Sequence, residues 1–199
     1  MRLFVAVLPP PQAMAELART VDRLEKLPGA EALRWTGRPG WHFTLAFLGE
    51  VEEERIPPLQ RALAHAAAGA TPFSLALHGS GHFAGRALWA GASGDTVALR
   101  RLAAAAGDAA REAGVEPDTG LPFRPHLTLA RTRSRREEAR AGDADLGPYL
   151  AALAPFTGTP WTVSELALVR SNLRGDPATH GASGSGSRYE TVTAWPLGR

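Results

Sequence analysis

Hydrophobic residues along this chain switch between two spacings, and the switches mark out its elements. Residues 2–8 are almost wholly apolar and read as a strand, which Pro9, Pro10 and Pro11 close. From about 12 to 27 the apolar positions Met14, Leu17, Val21, Leu24 and Leu27 fall three or four apart, which predicts a helix ended by Pro28-Gly29. Residues 32–36 form a short strand candidate, followed by a Gly37–Gly40 turn and a strand over 41–48. A second helix starts near Ile56, with Pro57 and Pro58 in its first turn, and runs to Gly69. Phe73, Leu75 and Leu77 alternate in a strand over 72–78. A turn at Gly79-Ser80-Gly81 and a return strand over 86–90 complete a hairpin.

The next helix is capped by Ser93 or Asp95, carries Val97, Leu102, Ala105, Ala106, Ala109 and Ala113 on its apolar face, and stops at Gly114. A Pro/Gly-rich loop leads to a strand over 126–131. Ser134 opens an Arg/Glu-rich helix that resumes over 146–153. Strands follow at 156–158, 161–170 and 189–196, with a Gly/Ser-rich surface loop over 172–187. Strand segments come in adjacent pairs between helices, which predicts an α+β fold of antiparallel sheets with helices packed on one side.

One tetrad occurs twice. His42-Phe43-Thr44-Leu45 and His126-Leu127-Thr128-Leu129 begin two of these strands, 84 residues apart. In a strand, residues two apart share a face. His42 therefore projects with Thr44, and His126 with Thr128, while Phe43, Leu45, Leu127 and Leu129 face the other way. On the same reasoning Phe47 joins the core face of its strand. The two strands read as two halves of one site, and an internal duplication is plausible.

Composition narrows the class. At 199 residues and 44% hydrophobic content, the chain can bury one substantial core or two small lobes sharing one. No apolar run approaches the roughly 20 residues of a membrane span. The first ten residues lack the cleavage site of a signal peptide. Cysteine is absent, which excludes disulfides and thiolate zinc sites and fits a cytoplasmic protein. The net charge is only +2, but Arg124, Arg131, Arg133, Arg135, Arg136 and Arg140 cluster around the second tetrad. That cluster reads either as a solvated helix start or as an anion-attracting rim.

Two imidazoles and two hydroxyls suit displacement at phosphorus. One neutral histidine takes a proton from the nucleophile, and one protonated histidine supplies the leaving oxygen. The hydroxyls donate to phosphate oxygens, and an arginine balances charge. A catalytic zinc needs a third ligand, from His65, His78, His82 or His180. None stands at tight spacing to either tetrad, and His78 and His82 read as the two ends of a hairpin turn. No phosphate-cradling loop with a lysine and no serine elbow is present. Among the aromatics that could stack on an RNA base, Phe47, Trp41 and Trp89 compete with core packing. Phe83, beside a glycine turn, is the best placed.

The paired tetrads, with the segments MRLFVAVLP, WHFTLAFLG, GHFAGRALWAG, FRPHLTLAR and SELALVRS and the closing residues 189–197, resemble the two-histidine (2H) phosphoesterase superfamily. Within it they are most similar to the RNA 2′,3′-cyclic phosphodiesterases, also called 2′-5′ RNA ligases. The resemblance implies one domain over 1–199, bilobal, with two pseudo-symmetric antiparallel sheets, helices packed outside and a central cleft. It implies metal-independent hydrolysis of RNA 2′,3′-cyclic phosphate ends, or of nucleoside 2′,3′-cyclic phosphates, to 2′-phosphates, with no cofactor. His42 would be the proton donor and His126 the proton acceptor. Thr44, Thr128 and Arg131 would hold the phosphate. A monomer in the cytoplasm, away from membranes, is the expected setting. Ligation through a 2′-5′ bond, or binding of an RNA end without turnover, are the alternative outputs of the same cleft. The 172–188 stretch is longer than such proteins usually carry between their last strands.

Overall fold

The computed structural model of the protein describes residues 1–120, 122–133, 145–172 and 188–198. In chain order the elements are β1 (Arg2–Val7), α1 (Pro11–Leu24), β2 (Leu33–Trp35), β3 (Phe43–Glu50), α2 (Ile56–Ala68), β4 (Phe73–Phe83) and β5 (Ala87–Gly94). They continue with α3 (Thr96–Glu112), β6 (Leu127–Thr132), α4 (Gly147–Leu153), β7 (Trp161–Val163), β8 (Glu165–Ser171) and β9 (Tyr189–Pro196). Two sheets form, with strand orders β3-β1-β8-β9 and β2-β6-β5-β4-β7, and every neighbouring pair is antiparallel. This is the expected α+β arrangement, with one histidine tetrad leading into a strand of each sheet.

The helices form where the spacing placed them. Pro11 sits at the first position of α1, where its missing N–H costs nothing, and Leu17, Val21 and Leu24 point into the core. Burial of each such leucine contributes about 2 kcal/mol. Asp95 caps α3, its carboxylate accepting from the Ala98 N–H at 2.9 Å. The buried residues of α3 are Leu99, Leu102, Ala103, Ala106, Gly107, Ala109 and Ala110. Val97, expected on that face, is 57% exposed, because two residues from Leu99 is about 200° round the helix.

Helices and sheets are exchanged between the two halves. The chain leaves β1 of the first sheet and enters α1, which packs with α4 on the second sheet. It leaves β5 of the second sheet and enters α3, which packs with α2 over β3 of the first. One contiguous core results, from Leu3 and Val5 through Leu63 and Leu99 to Leu127 and Leu166. A smaller cluster of Phe4, Ala6, Ala167 and Val169 lies apart from it, with Phe47 and Tyr189 packed alongside.

Three expectations needed correction. The hairpin between β4 and β5 turns at Ala84-Gly85, not at Gly79–Gly81. Both central residues have positive φ (49° and 65°), and the Arg86 N–H donates to the Phe83 carbonyl at 2.8 Å, the pattern of a type I′ turn. Gly79, at φ 70°, marks a bulge inside β4, a backbone that reads like a turn in sequence. The strand expected over 161–170 breaks at Ser164. Its first part joins β4 in the second sheet, and its second part joins β1 in the first. The strand expected at 156–158 is reduced to a single bridge, Thr157 to His78. The helix expected from Ser134 and most of the 172–187 loop lie outside the described residues. Among the described residues no helix is long and apolar enough to cross a membrane.

Candidate active site

Each tetrad histidine stands one residue before its strand, and the alternation that follows is the one expected. Phe43, Leu45, Leu127 and Leu129 are buried, while His42, Thr44, His126 and Thr128 are half-buried on the opposite side. The next residues break the pattern, at the same place in both copies. Ala6 of β1 pairs with Thr44 and Val5 with Ala46, which leaves Leu45 as an extra residue. Trp89 of β5 pairs with Thr128 and Leu88 with Ala130, which leaves Leu129 as the extra residue. A bulge at the leucine shifts the phase by one. Leucine and the following alanine both enter the core, and Phe47 and Arg131 swing back to the side of the threonines. Phe47 is therefore a cleft residue, not the core residue that strict alternation made it. Arg131 is presented beside Thr128, although its spacing alone would have turned it away.

These residues converge. A cavity of about 260 Å³ is lined by His42, Thr44, His126, Thr128 and Arg131 together. Arg2, Phe4, Thr36, Ser171 and Tyr189 line it as well, beside Gly40 and Phe47, and none of those five was picked out from the sequence. Arg2 and Phe4 stand two apart on β1, a period-two pair that could have been found. Tyr189 reaches the cavity only through the pairing of β9 with β8, a long-range pairing that hydropathy does not encode.

Both imidazoles are oriented from behind. His126 donates from Nδ1 to the Arg124 carbonyl at 2.7 Å, which leaves Nε2 as its proton-accepting nitrogen. His42 is bonded to the carbonyl of Gly40, also two residues back. The His42 ring stacks on Phe4, centroids 4.5 Å apart at 28°, and meets Tyr189 edge-on at 5.1 Å. The His126 ring meets Phe83 edge-on at 4.7 Å and Trp89 at 6.1 Å. Phe83 is thus a neighbour of His126 and lines an adjoining groove, not the small cavity itself.

A glycine underlies an aromatic ring in each half. A Cβ on Gly81 would overlap the Trp89 ring, and one on Gly40 would stand 3.0 Å from Tyr189 and 2.7 Å from Thr36. Trp89 and Trp41 are buried, and the Trp41 indole donates to the Thr36 carbonyl at 2.7 Å, so neither faces a base.

Charge is disfavoured on both rings. Burial first, then the nearby His126, pulls the pKa of His42 down to about 4, against the opposing pull of the Gly40 carbonyl. Burial also lowers His126. The Arg124 carbonyl opposes that shift, and the Arg131 guanidinium adds to it. Both shifts favour the neutral imidazole near pH 7.

The other histidines go elsewhere. His65 is exposed on α2. His78 and His82 lie on one strand, not either side of a turn. His78 shares a hydrogen bond with Thr157 at 3.2 Å, and His82 accepts from the Gly85 N–H at 3.0 Å. His180 lies outside the described residues. Among the described residues no group of three or more histidine or carboxylate side chains could hold a metal ion. Of the arginine cluster, Arg124 and Arg131 line the adjoining groove, and Arg133 donates to the Glu31 carbonyl at 3.2 Å. Arg135, Arg136 and Arg140 lie outside the described residues.

The LigT-like phosphoesterase family model matches residues 7–89 and again 93–179, one tetrad in each stretch. The chain belongs to this family, within the two-histidine superfamily. It is 35% identical to the RNA 2′,3′-cyclic phosphodiesterase of Geobacillus stearothermophilus over 82% of its own length, but spans only 47% of that protein. It is 32% identical to the protein of that name from Thermus thermophilus, over 87% of this chain and 83% of the other. Among solved structures, a Thermus thermophilus protein superposes with a TM-score of 0.73 at 28% identity, covering 99% of this chain and 98% of the other. Escherichia coli LigT complexed with ATP superposes with a TM-score of 0.71 at 26% identity, covering 100% and 98%.

Proposed function

We propose that this protein hydrolyses RNA 2′,3′-cyclic phosphate ends to 2′-phosphate ends, with His126 as general base and His42 as general acid. The observation that carries this reading is the convergence of both imidazoles, both threonines and Arg131 on one cavity, each imidazole tied from behind to a carbonyl. The names of the Geobacillus and Thermus relatives point to the same reaction.

In this scheme His126 Nε2 takes a proton from water as the water oxygen attacks phosphorus. The bond from phosphorus to the 3′ oxygen breaks on the opposite side, and the His42 imidazolium gives its proton to that oxygen. Thr44 and Thr128 donate hydroxyl hydrogens to the non-bridging oxygens, and Arg131 offsets their growing negative charge. The reaction leaves His126 protonated and His42 neutral, and proton exchange with water resets the pair. A pKa of about 4 makes His42 neutral near pH 7, so its acid role depends on the substrate. The bound phosphate anion favours the imidazolium and raises the pKa of His42 from about 4.

Arginine and the imidazoles handle the charge, so the scheme needs neither metal nor cofactor. Both tetrads stand on one chain and face one cavity, which supports the reading of a single domain over 1–199 acting as a monomer. The test is product analysis on an RNA with a defined 2′,3′-cyclic end, in EDTA. A single 2′-phosphate product is expected. Loss of turnover in EDTA with rescue by zinc, or binding of the RNA end without turnover, would overturn the proposal.

A further inference from the structure

The cavity that holds both histidines opens into a groove of about 820 Å³, which the chemistry above leaves unused. Thr44, Phe47, His126 and Arg131 line both spaces. The groove therefore leaves the site between the two motif strands, with β3 on one wall and Phe83 and β6 on the other. In an in-line reaction the attacking and departing oxygens occupy the axis between the imidazoles, so the rest of the substrate must leave to the side.

The far wall is α3 with residues 117–120 and 122–124. That segment is fixed at both ends. The Asp118 N–H donates to the Phe47 carbonyl at 2.8 Å, and Arg100 of α3 donates to the Phe123 carbonyl at 3.1 Å. Arg111 is neutralised by Asp108 at 3.0 Å and Glu116 at 3.4 Å, which leaves Arg100, Arg124 and Arg131 facing the groove against Asp118, an excess of positive charge. Phe47, Phe83 and Phe123 supply aromatic surface along it. Cations interleaved with rings match single-stranded nucleic acid, whose phosphates pair with arginine and whose bases stack.

Gly107 lies within α3, where glycine weakens a helix relative to alanine. Packing does not demand it. A Cβ there would meet only Arg111 Nη1 at 3.6 Å and Pro117 Cγ at 4.0 Å, both ordinary contacts with groove-lining residues. What a longer side chain would take up is the groove.

We propose that this groove seats the nucleotides that precede the cyclic phosphate in a single-stranded RNA, and that Gly107 and Arg100 set the preference for a chain over a lone nucleotide. The proposal rests on the phosphodiesterase reading above. The experiment compares kcat/KM for a short RNA oligonucleotide with a 2′,3′-cyclic end against adenosine 2′,3′-cyclic phosphate, across a salt series, with thermal unfolding of each variant. In the wild type the oligonucleotide is favoured by about tenfold or more, the worth of one or two stacked bases. Gly107→Leu brings the ratio towards unity. Arg100→Gln lowers the ratio and reduces the salt slope for the oligonucleotide by about one.

Equal kcat/KM for the two substrates in the wild type, or a ratio unchanged in both variants, would overturn the groove assignment. If Gly107→Leu does not fold, the salt slope of Arg100→Gln decides. Turnover of neither substrate would instead overturn the phosphodiesterase reading.

Discussion

His42 and His126 start from the same tetrad, the same bulge just past the threonine and the same bond to a carbonyl two residues back. Their rings nevertheless lie in different company. His42 is stacked flat on Phe4 and walled by Tyr189, and burial takes it down to about 4. His126 is touched edge-on by Phe83 and opens onto the wide groove, with Arg131 close enough to lower it further. The repeated tetrad fixes where each imidazole points. The residues around it, which are not repeated, fix how readily each one takes a proton.

The largest test of that comparison removes one ring at a time. His42→Ala and His126→Ala should each lower kcat by at least the roughly 10²–10⁴-fold typical of a general acid or base. The double variant should be little worse than either single one, because the pair acts as a unit. Losses that multiply in the double variant would show two independent groups.

Next come the hydroxyls. Thr44→Val and Thr128→Val keep shape and remove a donor to charged oxygen, worth about 1.5–3 kcal/mol, so kcat/KM should fall about 10–100-fold in each. An effect confined to one of them would show that only one half grips the phosphate.

Protonation gives the third test. Both histidines are lowered in the free protein, so both limbs of the kcat/KM profile should fall below the ordinary histidine value of about 6.5. The limb assigned to His42 should move to higher pH in the kcat profile, where the bound anion favours its imidazolium. Limbs at the same pH in both profiles would contradict the substrate-assisted role of His42. Stability follows with a definite sign. A folded pKa of about 4 against about 6.5 unfolded means that the unfolded chain binds more protons between those values. Unfolding free energy should therefore drop as pH falls from 6.5 towards 4, and His42→Gln should flatten that drop.

The smallest effects concern the glycines under the rings. Gly81→Ala and Gly40→Ala should each destabilise by about 1–3 kcal/mol through overpacking, read as a lower Tm. Gly81→Ala should cost more, since its Cβ would overlap the Trp89 ring while that of Gly40 would meet Thr36 at 2.7 Å and Tyr189 at 3.0 Å. An equal or reversed order would mean that the Trp89 ring shifts freely, which its burial argues against.

Much of this was legible in the residues. Period two alone put Thr44 beside His42 and Thr128 beside His126, and the 3–4 spacing located α1 and α2 to within a few positions. The bulges were not legible, because Leu45-Ala46 and Leu129-Ala130 are apolar pairs with no polar residue to betray a slipped phase. That slip decides whether Phe47 and Arg131 reach the cleft. Tyr189 could not be assigned to the site either, since the β8–β9 pairing that brings it there carries no local signal. Gly79 misled in the opposite way, since a left-handed glycine inside a strand has the composition of a turn.

The exchange of elements between the two sheets makes each half of the chain depend on the other. The family model fits the chain twice, over 7–89 and 93–179, yet neither stretch fills a sheet by itself. Strand β6, in the second stretch, lies between β2 and β5, and β8, also in the second, lies against β1. A cut between the two stretches would leave a gap where β6 runs and an open edge on β1, so neither half completes the cleft without strands from the other.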